Sequence, residues 1–292
     1  MVSMKTLTTQ KRCQVVAALV EGNSIRSTVR MTGVSKNTVT KLLVDLGCVC
    51  TEFQDKALRN LGCKRLELDE IWSFVGMKDK QVPAERKGEF GVGDVWTWVA
   101  IDPVSKLIPS WLVGNRDGEC ARAFVDDLAS RLANRVQLTT DGLKSYIDAV
   151  DNAFPDRGVD YAMLVKVYGQ TEAEGNRRYS PAECLGCERH IMVGDPDPRY
   201  ISTSIVERQN LTMRMSIRRF TRLTNGFSKK VENHTHAVAL HFMHYNFCRM
   251  HQSLRMTPAM KAGVTDRKWG IEDIVALLPE LKYNTRPKKQ AS

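Results

Sequence analysis

The chain has 292 residues, 42% of them hydrophobic, which is enough length and apolar content for two domains and excludes a disordered chain. Forty-three Lys and Arg against 33 Asp and Glu leave a net charge of +10 and a pI near 9.2, a balance that points to a polyanionic partner more than to an acidic small substrate. No run of about twenty apolar residues occurs and MVSMKTLTTQKR lacks the apolar core of a signal peptide, so a soluble cytoplasmic protein with no membrane contact is expected.

Val15, Val16, Leu19 and Val20 recur at helical spacing before Gly22-Asn23 stops the pattern. Ser24 can cap a second helix, SIRSTVRMTG, closed by Gly33. Ser35 can cap a third, SKNTVTKLLVDLG, which buries Val39, Leu42, Leu43 and Leu46. A helix, a Gly-containing turn and a helix led by small polar and basic residues form the helix-turn-helix pattern, over residues 1–47. Lys36, Asn37, Thr40 and Lys41 would then meet base edges and phosphates in a major groove. A plain three-helix bundle serving protein contacts is the alternative. Residues 48–64 read as a short joining helix. The eight cysteines are expected to be reduced thiols, and Cys48, Cys50 and Cys63 lack zinc-ribbon spacing.

From residue 65 to 250 the pattern is α/β. LELDEIWSFVG reads as a first strand, Val95 to Ile101 and Lys106 to Val113 as an antiparallel pair turned at Asp102-Pro103, and GECARAFVDDLASRL as a helix. RVQLTTDGLKSY gives a strand ending at Asp141, and YAMLVKVYG a fifth. Residues 169–201 read as an irregular insertion. It carries Cys184, Cys187 and His190, which are one ligand short of a closed zinc site. STSIVERQNLTMRMSIRRFTRL reads as a long helix with Glu207, Asn210, Arg214 and Arg218 on one face, and a last helix spans about 230–250. Residues 251–292 are a basic C-terminal extension. Arg208, Arg214, Arg218, Arg219, Arg222, Lys229 and Lys230 form an electrostatic footprint with no acidic residue among them. Three hairpin-connected strands, a helix, then strands alternating with helices is the order of an RNase H-like mixed sheet, preceded here by an all-α domain.

Asp69 and Glu70 lie in an apolar strand, where burying a carboxylate costs several kcal/mol unless something pairs with it. In an RNase H-like sheet the first and fourth strands are neighbours, so Asp69 and Asp141 would meet, and a helix under that edge could add Glu207. Asp69 falls on the opposite strand face from Leu66, Leu68, Trp72 and Phe74. Glu70 shares their face and is the weaker candidate. Three converging carboxylates suit two Mg²⁺ or Mn²⁺ ions acting on one phosphate, and zinc is not expected.

LELDEIWSFVG, TTDGLKSY and STSIVERQNLTMRMSIRR, with FSKK and HYNFCRMHQSL followed by TPA, resemble the DDE transposases of bacterial insertion sequences, most closely the insertion sequence 1 family. The resemblance implies an RNase H-like core, two-metal strand transfer, a catalytic and metal-binding triad of Asp69, Asp141 and Glu207, and phosphate contacts at Asn210 and Arg214. It also implies double-stranded DNA as partner, both transposon ends and target, a homo-oligomer assembled on that DNA, and a bacterial, nucleoid-associated location. The chain departs from the pattern in lacking a zinc ribbon and in the 66 positions between Asp141 and Glu207, a longer gap attributed to the insertion. An RNase H-like nuclease that only hydrolyses and a DNA-binding regulator derived from a transposase are the rival readings.

Overall fold

The computed structural model describes residues 7–155, 158–169, 184–221 and 224–279. Three helices open it: α1 (Thr9–Val20), α2 (Ile25–Thr32) and α3 (Lys36–Ala57). Each starts where a hydroxyl accepts from a free amide, Thr8 from Lys11 N, Ser24 from Ser27 N and Ser35 from Thr38 N, at 3.2, 3.0 and 3.3 Å. Residues 48–57 continue α3 instead of forming a separate joining helix. The buried stripe Val39, Leu42, Leu43, Leu46 and Cys50 crosses the expected boundary without a break.

A six-stranded mixed sheet follows, in the order β3-β2-β1-β4-β5-β6. Its strands are β1 (Arg65–Val75), β2 (Gly93–Ile101), β3 (Trp111–Gly114), β4 (Val136–Thr140), β5 (Val159–Tyr168) and β6 (Cys184–Val193). β1, β2 and β3 pair antiparallel, β4 and β5 join parallel to β1, and β6 closes the edge antiparallel. Two departures from the sequence reading come from groups distant in sequence or on a neighbouring strand. Residues 106–110 stay out of the ladder because the Asn246 amide takes both the N–H and the C=O of Ile108, each at 3.0 Å. Residues 184–193, expected to be irregular, find unpaired edge groups on β5 and form a strand although every one of them is exposed.

One face of the sheet packs on α4 (Gly118–Arg131) and α5 (Ser145–Ala153): Leu66, Leu68, Trp98 and Leu138 meet Phe124, Leu128 and Tyr146. The other carries Ile71, Val99 and Ile101 against Val206 and Met213 of α6 (Ser204–Ser216) and Val238 and Phe242 of α7 (Val231–Met243). Both faces being covered explains why β1 and β2 are buried along most of their length. α6 is shorter than the sequence pattern suggested, because Ile217 takes an extended conformation at φ −117°. α7 likewise stops at Met243 and passes into one π-type turn, closed by Arg249 N donating to His244 O at 2.9 Å.

The N-terminal helices share this core rather than standing apart. A Cβ on Gly47 would lie 2.3 Å from the Cβ of His236, so the glycine is what lets α3 and α7 cross this closely. Gln54 Nε2 donates to the Ala239 carbonyl at 3.2 Å. The segment after residue 251 is also part of the body: α8 (Pro258–Lys261) and α9 (Ile271–Ala276) contribute buried Ala259, Ile274 and Val275, and Trp269 packs on Phe53 and Phe247. The basic tail from residue 280 lies outside the described residues.

Candidate active site

The parallel ladder between β1 and β4 ends at Leu68–Thr140, and the next residue on each strand is an aspartate, Asp69 and Asp141. Asp141 leaves the sheet in a turn fixed by its own Oδ1, which accepts from Leu143 N at 3.0 Å. Its carboxylate therefore sits off the strand end, within reach of both faces of β1. One oxygen each from Asp69, Glu70 and Asp141 lie within 4.8 Å of one another. Strand parity had demoted Glu70; the turn at Asp141 restores it. Among the described residues this is the one group of His, Cys, Asp and Glu with metal-ligand spacing.

Glu207 reaches the same cleft from α6. The anchor of that helix is Glu67, whose Oε2 accepts from the amides of Ile205 and Val206 at 2.8 and 3.0 Å. A carboxylate from the central strand thus caps the helix by satisfying its free N–H groups and opposing the positive end of its dipole. Thr203, at the cap position by sequence, instead donates its hydroxyl to Glu207 Oε1 at 2.6 Å. Lys166 of β5 holds the other oxygen at 2.6 Å. One turn along α6, the buried Asn210 donates to Asp69 Oδ2 at 2.8 Å, so it orients a carboxylate instead of facing solvent.

Asp69, Asp141 and Glu207 line one cleft of about 680 Å³, together with Arg116, Lys144 and Lys166. Arg116 stacks 4.8 Å above the Trp96 ring, donates to Glu70 Oε2 at 3.0 Å, and its other nitrogen lies 3.6 Å from Asp141. Burial, then repulsion from Asp141, pushes the Asp69 carboxyl up to about 7, although the Glu70 amide and Asn210 pull the other way. Glu70 is also pushed up to about 7 by burial and by Asp141, against the opposing pull of Tyr146 and Arg116. Its Oε1 is buried, and the equally buried Tyr146 hydroxyl lies beside the carboxylate. Two carboxyls raised for these reasons are a site waiting for compensating positive charge.

Glu67, Arg116 and Lys166 were missed from sequence. A signal existed for two of them: Glu67 shares strand parity with Asp69, and Lys166 is a lone cation in an apolar strand. Arg116, in the loop before α4, carried none. The zinc-like trio does not converge. Register between β5 and β6 is unbroken from Lys166–Cys187 to Met163–His190, so Cys187 and His190 face opposite sides of the strand.

A second groove, of about 1250 Å³, brings Lys36, Asn37, Thr40 and Lys41 of α3 together with Arg218, Arg219, Lys229 and Lys230. Lys36, Asn37, Lys41, Arg218, Lys229 and Lys230 are exposed, and Lys41 pairs with Asp45 at 2.6 Å. Arg219 is turned inward, donating to Ser228 Oγ at 2.7 Å, with its guanidinium pushed down to about 10 by burial. Arg214 lies one turn beyond Asn210 on α6, and Arg222 falls outside the described residues.

No family model and no curated protein sequence matches the chain. Among solved structures it is similar to the Mos1 transposase paired-end complex with left transposon end, at 14% identity and a TM-score of 0.23, covering 55% of this chain and 60% of that one. The match thus spans less than two thirds of that protein, and at so low a TM-score the functional reading rests on the residues of the cleft itself. No described helix is long and apolar enough to cross a membrane.

Proposed function

We propose that the chain is a DDE transposase, a metal-dependent polynucleotidyl transferase that cuts and joins DNA strands at the ends of an insertion sequence. The observation that carries the reading is the placement of Asp69, inside β1, and Asp141, just past β4, as the residues that follow the last register pair of the parallel β1–β4 ladder, with Glu207 across the same cleft. The strand order supports an RNase H-like core: three antiparallel strands in hairpin sequence, then two parallel ones on the far side of β1. The ordered motifs resembling the insertion sequence 1 family, and the helix-turn-helix pattern of α2 and α3, agree with it.

The donor set fits a hard divalent cation. All the converging atoms are carboxylate oxygens. Asp69, Asp141 and Glu207 would hold Mg²⁺ or Mn²⁺, with Glu70 joining the first two. Bound there, such ions stabilise the attacking and leaving oxygens of a phosphodiester. The protein's own groups do the positioning. Asn210 fixes Asp69, Arg116 fixes Glu70 and Asp141, Thr203 sets Glu207, and Lys144 at the exposed rim meets the phosphate.

In the first step water attacks a phosphodiester at the element's end, the P–O3′ bond breaks, and a free 3′-hydroxyl is left. In the second that hydroxyl attacks a target phosphate in line; one P–O bond forms as the target's P–O3′ bond breaks, the hydroxyl proton passes to solvent, and the departing target O3′ takes a proton from solvent to become a free 3′-hydroxyl. Asp141→Asn should lower Mg²⁺-dependent cleavage and joining by roughly 10³-fold while duplex binding stays within about two-fold. Retained joining would refute the assignment. Cleavage without joining by the wild-type protein would favour the nuclease, and metal-independent DNA binding with neither activity would favour the regulator.

A further inference from the structure

The second groove has two walls from distant parts of the chain. One is the α1–α2 turn with the leading face of α3; the other is the segment after α6 together with the start of α7. Seven lining residues are Lys or Arg and one, Asp45, is acidic. Asp45 is already spent on Lys41 at 2.6 Å, and among the described residues Arg26, Lys36, Arg218, Lys229 and Lys230 have no carboxylate partner. Unneutralised cations on both sides of a groove repel one another, which costs stability unless a polyanion lies between them. Asn23, Asn37, Thr40, Asn225 and Asn233 add hydrogen-bonding groups suited to phosphates and base edges.

The walls are also fixed to each other. Gly22, at φ +77°, brings the α1–α2 turn against the end of α6, where a Cβ would lie 3.0 Å from the Met215 carbonyl oxygen. α6 begins at the acidic cleft, with Thr203 and Glu207, and ends at the basic groove, with Ser216. Its 13 residues span about 20 Å, or roughly six base pairs at 3.4 Å each.

We infer that the groove is one composite duplex-binding site, in which α3 and residues 216–219 and 225–230 of the same chain grip a single DNA duplex whose path runs along α6 to the acidic cleft. The inference rests on the transposase reading and adds to it a partner geometry. The base pairs read by α3 lie about six pairs from the phosphate presented to Asp69 and Asp141 of the same protomer.

The test uses the full-length protein and duplexes of about 40 base pairs that it selects from a random pool, with binding followed by fluorescence anisotropy over a salt series and by hydroxyl-radical footprinting. Arg26→Ala with Lys36→Ala, and separately Lys229→Ala with Lys230→Ala, should each weaken binding to the same selected duplex. Each pair should also reduce the slope of log K against log salt by about two. Each should erase a separate protected tract on that duplex, the two tracts lying within about one helical turn. Circular dichroism of the four-fold variant checks that the fold survives. An unchanged slope and footprint in the Lys229/Lys230 variant, with the Arg26/Lys36 variant impaired, overturns the composite site and leaves the transposase reading standing. A wild-type protein that binds no duplex overturns both.

Discussion

The two ends of α6 solve opposite electrostatic problems. At its start, acids from three elements crowd into a cleft where burial and mutual repulsion raise Asp69 and Glu70 to about 7. At its end, cations from two walls face each other in an open groove, most of them on exposed side chains. The cleft is therefore assembled from long-range contacts and supported by buried partners such as Glu67 and Asn210, whereas the groove needs only exposed side chains on correctly docked walls. Substitutions in the cleft should act strongly and singly. Those in the groove should act weakly, additively and in proportion to salt.

The largest effect is expected at Asp141→Asn, a loss of roughly 10³-fold in strand joining with little change in binding. Next comes the support behind the cleft. Glu67→Ala leaves the Ile205 and Val206 amides without their acceptor and should cost about 1–3 kcal/mol, measured as the midpoint of urea unfolding.

A titration follows from the raised carboxyls. Asp69 and Glu70 have ordinary values of 3.8 and 4.5 and reach about 7 in the fold, so between those values the folded protein binds more protons than the unfolded chain. That contribution is fully present at low pH and is lost as pH rises through about 7. With EDTA present, the thermal midpoint should be higher near about pH 5.5 than near about pH 8.5, and Asp69→Asn combined with Glu70→Gln should flatten the difference. The smallest effects belong to the groove: Lys229→Ala or Lys230→Ala alone should weaken duplex binding only a few-fold and lower the salt slope by about 0.9.

The same contrast governs what could be read from sequence. Local signals were sufficient for the caps at Ser24 and Ser35, the stripe of α3 and the strand ending before Asp141, because capping and periodicity are fixed by near neighbours. The basic character of the stretch after α6 was visible for a related reason, since cations with no acidic residue among them need little tertiary information, but the inward turn of Arg219 onto Ser228 was not. What escaped notice depended on distant groups. Glu67 reveals itself only when α6 docks on β1, and Arg116 only when β3 delivers it beside Trp96 and Glu70. Glu70 was set aside by strand parity, a rule that holds inside a ladder, and Asp141 lies one residue past the end of one. Tertiary context also overrode local reading where Asn246 kept Ile108 out of the sheet.

The central claim is that the acidic cleft binds divalent cations through Asp69 and Asp141. Titration of Mn²⁺ into the full-length protein, with free ion followed by electron paramagnetic resonance, tests it without any knowledge of the DNA ends. The account predicts saturable binding that weakens at least about ten-fold in Asp141→Asn and is unchanged in the Lys229→Ala, Lys230→Ala variant. Equal Mn²⁺ binding by the wild type and Asp141→Asn would contradict it.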